Sequence, residues 1–225
     1  MPNKISLRTT TKKKTIQLRS KIYKAKKVGV RKTRKPIAFC PGQSSKYLKP
    51  WIIPRAELIR KSIEANRTKK LVEEYGEVAA KWHLANEVLR KEIPDAPAGT
   101  FQTGHFVTFY GANTVDVIYV DTKVTPDVYI LEAKGGTAAL SVGRRKGKYS
   151  PNKGKKLSQG TWAYLYDVAT AMTQTTNPAK IAAGNAILKA YNDNNGKLHY
   201  IGVSAKIPVA SSSAPAPDEL FNQTR

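Results

Sequence analysis

Cysteine is nearly absent from this chain: Cys40 is the only one among 225 residues. A single thiol excludes an intramolecular disulfide framework and any cysteine-rich zinc site. Histidine is scarce too, at His83, His105 and His199, with no HExxH or paired spacing, which argues against zinc hydrolase chemistry. No run of 18 apolar residues occurs, so no transmembrane helix is expected. The basic N-terminus lacks an apolar core and does not read as a conventional secretory signal. Acidic residues are missing from the whole first quarter: the first is Glu57, while residues 1–56 carry 17 Lys and Arg.

What is present is positive charge. The formal net charge is +23, and beyond residue 56 there are still 22 basic residues against 16 acidic ones. Such a balance points to a polyanionic partner, nucleic acid or an acidic membrane surface. The 40% hydrophobic content supports one packed core of ordinary domain size.

Three regions are expected. Residues 1–54 read as a basic flexible arm followed by a linker with prolines at 36, 41, 50 and 54. Residues 55–210 read as the folded domain, and 211–225, beginning "SSSAPAP", as a flexible tail. Within the domain, 55–92 reads as helix interrupted near Asn66–Lys69. Leu71, Tyr75, Val78, Trp82, Ala85 and Leu89 form one apolar face, and "IPDAPAG" ends the pattern. Three strand candidates follow, at 104–111, 113–121 and 126–134, with turns short enough for an antiparallel meander. After a basic loop, 135–158, come helices at 159–172 and from Pro178 to about Tyr191, the latter with Asn177 as N-cap, and a final strand at 198–207. The order suits a mixed sheet flanked by helices. Tyr75, Trp82 and Trp162 are expected in the core, and the three histidines in structural or exposed positions.

The third strand, "PDVYILEAKGG", ends in charge. Burying a charge is costly unless it is paired or binds a metal. Side chains two apart on a strand share a face, so Glu132 and Lys134 project together, their Cα atoms about 7 Å apart. A short hairpin to the preceding strand would set Asp116 opposite Leu131, within one residue of Glu132. Asp116 and Glu132 could then share a divalent cation, and Lys134 could steady charge developing on a phosphate.

Asp116 followed by Glu132-Ala133-Lys134 resembles the D…(D/E)xK signature of the PD-(D/E)xK nuclease superfamily. The longer run "DVYILEAKGG…QGTWAYL" resembles the restriction-endonuclease-like toxin domains of polymorphic bacterial toxins. The resemblance covers roughly residues 70–207. It implies a mixed α/β, restriction-endonuclease-like core and hydrolysis of phosphodiester bonds with Mg²⁺ or Mn²⁺. It implies that Gln159 reaches the site from the start of a helix. The step of five from Gln159 to Tyr164 departs from the family's QxxxY spacing, so only Gln159 is carried over. Asp127, in the literal Pro-Asp, reads as a turn residue and is an alternative to Asp116 as ligand. An early helix of such enzymes often adds a glutamate: helical geometry favours Glu74 here, whereas the Gly-Glu-x-Ala context favours Glu77, which is taken as the third ligand.

Between Glu132 and Asp167 lie Lys134, Arg144, Arg145, Lys146, Lys148, Lys153, Lys155 and Lys156 with no acid. Beside a metal site, all but Lys134, which belongs to it, are expected to contact phosphates. The expectation is therefore a Mg²⁺-dependent endonuclease, acting on DNA before RNA, made in a bacterial cytoplasm and delivered to a target cell. As a toxin it would have an acidic immunity protein as partner. The competing readings are an RNA- or tRNA-cleaving toxin of the same fold, a mobile-element nuclease such as a resolvase, and a nucleic-acid-binding protein with no activity.

Overall fold

The computed structural model describes residues 52–136, 140–143, 145–205 and 218–225. The basic arm, Cys40 and most of the proline-containing linker lie outside the described residues, as does Arg144.

Helix α1 spans Ile52–Ala65 and α2 spans Lys69–His83. The break between them falls where the sequence places it, with Thr68 as an N-cap accepting from the Leu71 N–H. Two boundaries differ from the sequence reading. Residues 52–54, read as linker, already belong to α1, where Pro54 sits in the first turn and sacrifices no helical hydrogen bond. The helix read to residue 92 stops at His83 and widens into a π turn, Leu84–Val88; Leu89 N–H then reaches Leu84 O, and Arg90 takes a positive φ of 53°.

The sheet has five strands in the order β1-β2-β3-β6-β7, with β1 Phe106–Thr108, β2 Val117–Val120, β3 Val128–Gly135, β6 Leu198–Ala205 and β7 Asp218–Thr224. The β1–β2–β3 meander is antiparallel as expected, β3 and β6 run parallel, and β7 pairs antiparallel with β6. Strand β7 corrects the reading of 211–225 as a flexible tail over residues 218–224, while 211–217 lie outside the described residues. Its sequence, DELFNQT, has no apolar alternation to announce it; backbone pairing with β6 makes the strand. The basic loop contains a small hairpin, β4 Arg145–Lys146 with β5 Lys156–Leu157. Helices α3 Trp162–Thr173 and α4 Pro178–Asp193 form the crossover from β3 to β6, with Thr161 and Asn177 as N-caps. The described residues thus form a mixed α/β fold with a five-stranded mixed sheet and four α-helices. None of these helices is long and apolar enough to cross a membrane.

The two faces of the sheet bury different cores. On one, Tyr75, Val78 and Ala79 of α2 meet Val117, Tyr119, Leu131, Ile201 and Val203. On the other, Leu165, Val168, Met172, Ala183 and Ile187 of α3 and α4 meet Ile118, Val128, Ile130, Leu198 and Tyr200. The period of two therefore assigns Glu132 and Lys134 to the α3/α4 face, with Ile130 and Tyr200. Trp82 and Tyr75 are buried as expected, and Trp162 packs partly buried on the second core.

Helix α2 lies against the end of β3 with no room for side chains. A Cβ on Gly135 would sit 1.8 Å from Val72 O, and one on Gly76 would sit 2.7 Å from Gly135 N. Both obstacles are backbone, which cannot swing aside. Gly135→Ala is expected to lower stability by about 1–3 kcal/mol, the usual penalty of overpacking. A thermal or urea melt within error of wild type would show that α2 can retreat.

Candidate active site

Glu132 has its side chain almost wholly buried, at 3% exposure, in the middle of the sheet. It is held by partners from three elements. Oε1 accepts from Lys134 Nζ at 2.9 Å and from Gln159 Nε2, and Oε2 accepts from the Tyr200 hydroxyl at 3.2 Å. Because β2 and β3 pair Val117 with Leu131, Asp116 falls just before β2 at the position facing Glu132, one residue along from the expected partner. Its Oδ2 accepts from Ala133 N–H at 2.8 Å and lies 3.9 Å from Lys134 Nζ. Lys134 thus stands between two carboxylates. Burial pulls the Lys134 pKa down, but Glu132 and Asp116 outweigh it and hold it above the ordinary lysine value. For Asp116, burial first and the Glu132 charge second push the carboxyl up to about 7, against the pull of Lys134.

Gln159 reaches the site from the loop leading into α3. It is fixed on its other side by Ser141, whose N–H donates to Gln159 Oε1 at 2.8 Å, while Gln159 N–H donates to Ser141 O at 2.9 Å. Tyr164, which the family spacing left without a role, sits with its hydroxyl 3.5 Å from Gln159 Nε2. Burial, then the Glu132 charge, raise its pKa.

The structure distinguishes the two glutamates of α2. Glu77 is buried, at 8% exposure; burial raises its carboxyl to about 7 against the pull of Lys81, and Asp116 adds to the rise. Glu74 instead forms an ion pair with Arg55. Glu73 faces solvent beside Lys69. Asp127 stands at the other end of β3, in a separate network with Lys123, Lys197 and His199, five residues or roughly 16 Å of strand from Glu132.

Among the phosphate-contact candidates, Arg145 is committed inward. Its guanidinium pairs with Asp167, a carboxylate with no exposure, and donates to Asn113 Oδ1 at 2.7 Å. Asp167 also accepts from the N–H groups of Lys148 and Tyr149. Arg145 is therefore the anchor of the basic hairpin, a use that charge counting does not reveal. Lys146, Lys148, Lys153, Lys155 and Lys156 are exposed on it.

The sequence reading missed three residues. Tyr200 joins Glu132 to the Gln159 loop, since its hydroxyl also accepts from Gly160 N–H at 3.3 Å. Gln223 of β7 donates to Gly160 O at 2.9 Å, and the Phe221 ring fills the space beside Gly160 and Gly202, where added Cβ atoms would meet it at 3.0 and 2.3 Å. Gly160 adopts a φ of 81°, a left-handed turn that suits glycine. Tyrosine in a strand and phenylalanine in a polar segment read as packing residues; only tertiary contact reveals their second use.

Among the described residues, no three His, Cys, Asp or Glu side chains form a ready-made metal cage. Asp116 and Glu132, on either side of Lys134 Nζ, offer hard carboxylate oxygens, and Glu77, whose carboxyl feels the Asp116 charge, is not gathered with them into a set of three. That donor set fits Mg²⁺ or Mn²⁺, which is commonly held by one or two carboxylates together with water and substrate phosphate. Comparison with protein-family models, with curated proteins and with solved structures found no match.

The raised carboxyls carry a pH signature. A carboxyl whose folded pKa exceeds its unfolded one favours folding below the unfolded pKa, and that contribution is lost as pH rises through the folded value. For Glu77 the window runs from 4.5 to about 7. In chelator, stability should fall across this window, and Glu77→Gln should remove on the order of 2–3 kcal/mol of the fall. Parallel melting profiles for the two proteins between pH 4 and 8 would contradict the burial of this charge.

Proposed function

We propose that this chain is a metal-dependent endonuclease of the PD-(D/E)xK type with a restriction-endonuclease-like core, acting on DNA. The observation that carries the reading is the meeting of Asp116, Glu132, Lys134 and Gln159 at one end of the β2–β3 hairpin. These residue types, in this chain order, are the ones the resemblance calls for.

Asp116 and Glu132, with Glu77 from α2, would hold the cation. When bound, it supplies Lewis-acid activation of the phosphate and of the attacking water. Lys134, kept cationic by its two carboxylates, is free to turn from Glu132 toward a phosphate oxygen and offset the charge that develops there. Gln159 orients the Glu132 carboxylate through Oε1, and Tyr200 orients it through Oε2. The exposed lysines of the hairpin lie on the segment that carries Gln159, so a backbone they grip is led toward the site.

The test is plasmid incubation with Mg²⁺ or Mn²⁺. Wild type should cut, chelator should stop it, and Glu132→Ala or Lys134→Ala should reduce the rate at least about 10³-fold, the scale of losing a charge-stabilising group. Equal cutting by Glu132→Ala protein would overturn the reading. Tyr200→Phe keeps the ring but leaves Glu132 Oε2 without its donor, and should cost about tenfold in rate and about 1–3 kcal/mol in stability. The same resemblance supports a toxin held in check by an acidic immunity protein. Its test is expression without a partner, where growth arrest that depends on Glu132 is expected; cleavage of RNA but not DNA in the same assays would move the assignment to the RNA-cleaving alternative.

A further inference from the structure

A cavity of about 390 Å³ opens beside Glu77, between α2, the 95–100 loop and β1. Its volume lies within the range of roughly 300–1,000 Å³ typical of small-molecule pockets. Three features define what it can hold. First, its charges cancel: Arg55 pairs with Glu74 and Lys81 with Asp95, leaving Glu77 against Lys180. A neutral group suits it better than an anion.

Second, its floor is an open strand edge. Phe106 N–H donates to Pro94 O at 2.7 Å, and Ala96 N–H donates to Phe106 O at 2.8 Å, so the backbone groups of Phe106 point away from β2. Alternation along the strand then aims the N–H and C=O of Thr108 the same way, into the cavity it helps to line. No protein group among the described residues takes up this pair. One donor beside one acceptor matches the pairing edge of a nucleobase. Third, Tyr110 lines the cavity beside Glu77 with 63% of its surface exposed. An aromatic face held in water beside such an edge is a stacking platform.

We propose that this cavity takes one unstacked base of a nucleic-acid strand, its edge on the Thr108 backbone and its face on Tyr110. The proposal rests on the nuclease reading for its substrate class. It deepens that reading, because Phe109, which lines the cavity, donates its N–H to Asp116 O at 3.0 Å, so a strand whose base sits here would carry its backbone toward the proposed site. The enzyme would therefore favour single-stranded, gapped or splayed substrates over continuous duplex.

The test uses the full chain in chelator, titrated with nucleoside 5′-monophosphates and, as the control without a base, ribose 5-phosphate. Amide resonances of Thr108 and Gly99 should shift with the nucleotides and not with ribose 5-phosphate. Ala98→Trp places a bulky group at the exposed mouth, and Tyr110→Ala removes the platform; each should weaken binding about tenfold or more, the scale of one base–aromatic stack. With Mg²⁺, Ala98→Trp should still cut duplex while its preference for gapped over continuous duplex disappears. Equal response to ribose 5-phosphate, or binding and preference unchanged by Ala98→Trp in a protein that melts like wild type, would overturn the proposal and leave the nuclease reading intact. Base binding at Thr108 with no cleavage of any nucleic acid would sink the nuclease reading and leave the cavity assignment standing.

Discussion

A carboxylate enclosed at the centre of a β-sheet must be satisfied, and much of this molecule is arranged around satisfying Glu132. Leaving such a group unpaired would cost several kcal/mol, so its neighbours are chosen by necessity before chemistry. Lys134 comes from the same face of the same strand, Tyr200 from the parallel neighbour β6, and Gln159 from the loop that begins α3. Each of these is secured in turn: Gln159 by Ser141, and the turn after it by Tyr200, Gln223 and Phe221. Loss of Tyr200 leaves Oε2 without its donor, and loss of Lys134 or Gln159 leaves Oε1 with one donor of two.

The second constraint is the contact of α2 with β3. Gly76 and Gly135 allow two backbones to touch, and that approach sets how near Glu77 comes to Asp116. The helix thereby buries the Glu77 carboxyl, and burial, with the Asp116 charge adding to it, raises its pKa to about 7, so stability is given up locally at neutral pH.

The sequence carried the central strands and their charges well. The aromatic and β-branched runs before and after Asp116 and the short turns between them encode β1, β2 and β3, and the register came within one residue because the hairpin has little freedom. Asn66–Lys69 and Asn177-Pro178 marked helix ends because capping is local chemistry. What stayed hidden depends on partners distant in sequence. Strand β7 exists by pairing with β6, the π turn after His83 by backbone geometry, and the burial of Glu77 beside a Glu74 paired with Arg55 by how α1 and α2 pack. Arg145 looked like its basic neighbours, since nothing nearby in sequence announces that Asp167, 22 residues on, is its counter-ion.

That buried ion pair gives the basic hairpin a different thermodynamic character from a loose polycation. Asp167 grips the hairpin through one guanidinium and two backbone N–H groups, so the lysines project from a preset frame. Much of the chain ordering that a polyanion would otherwise impose has already occurred during folding, and association needs to immobilise only the lysine side chains. Charge displayed in this way is fixed in position as well as in sign.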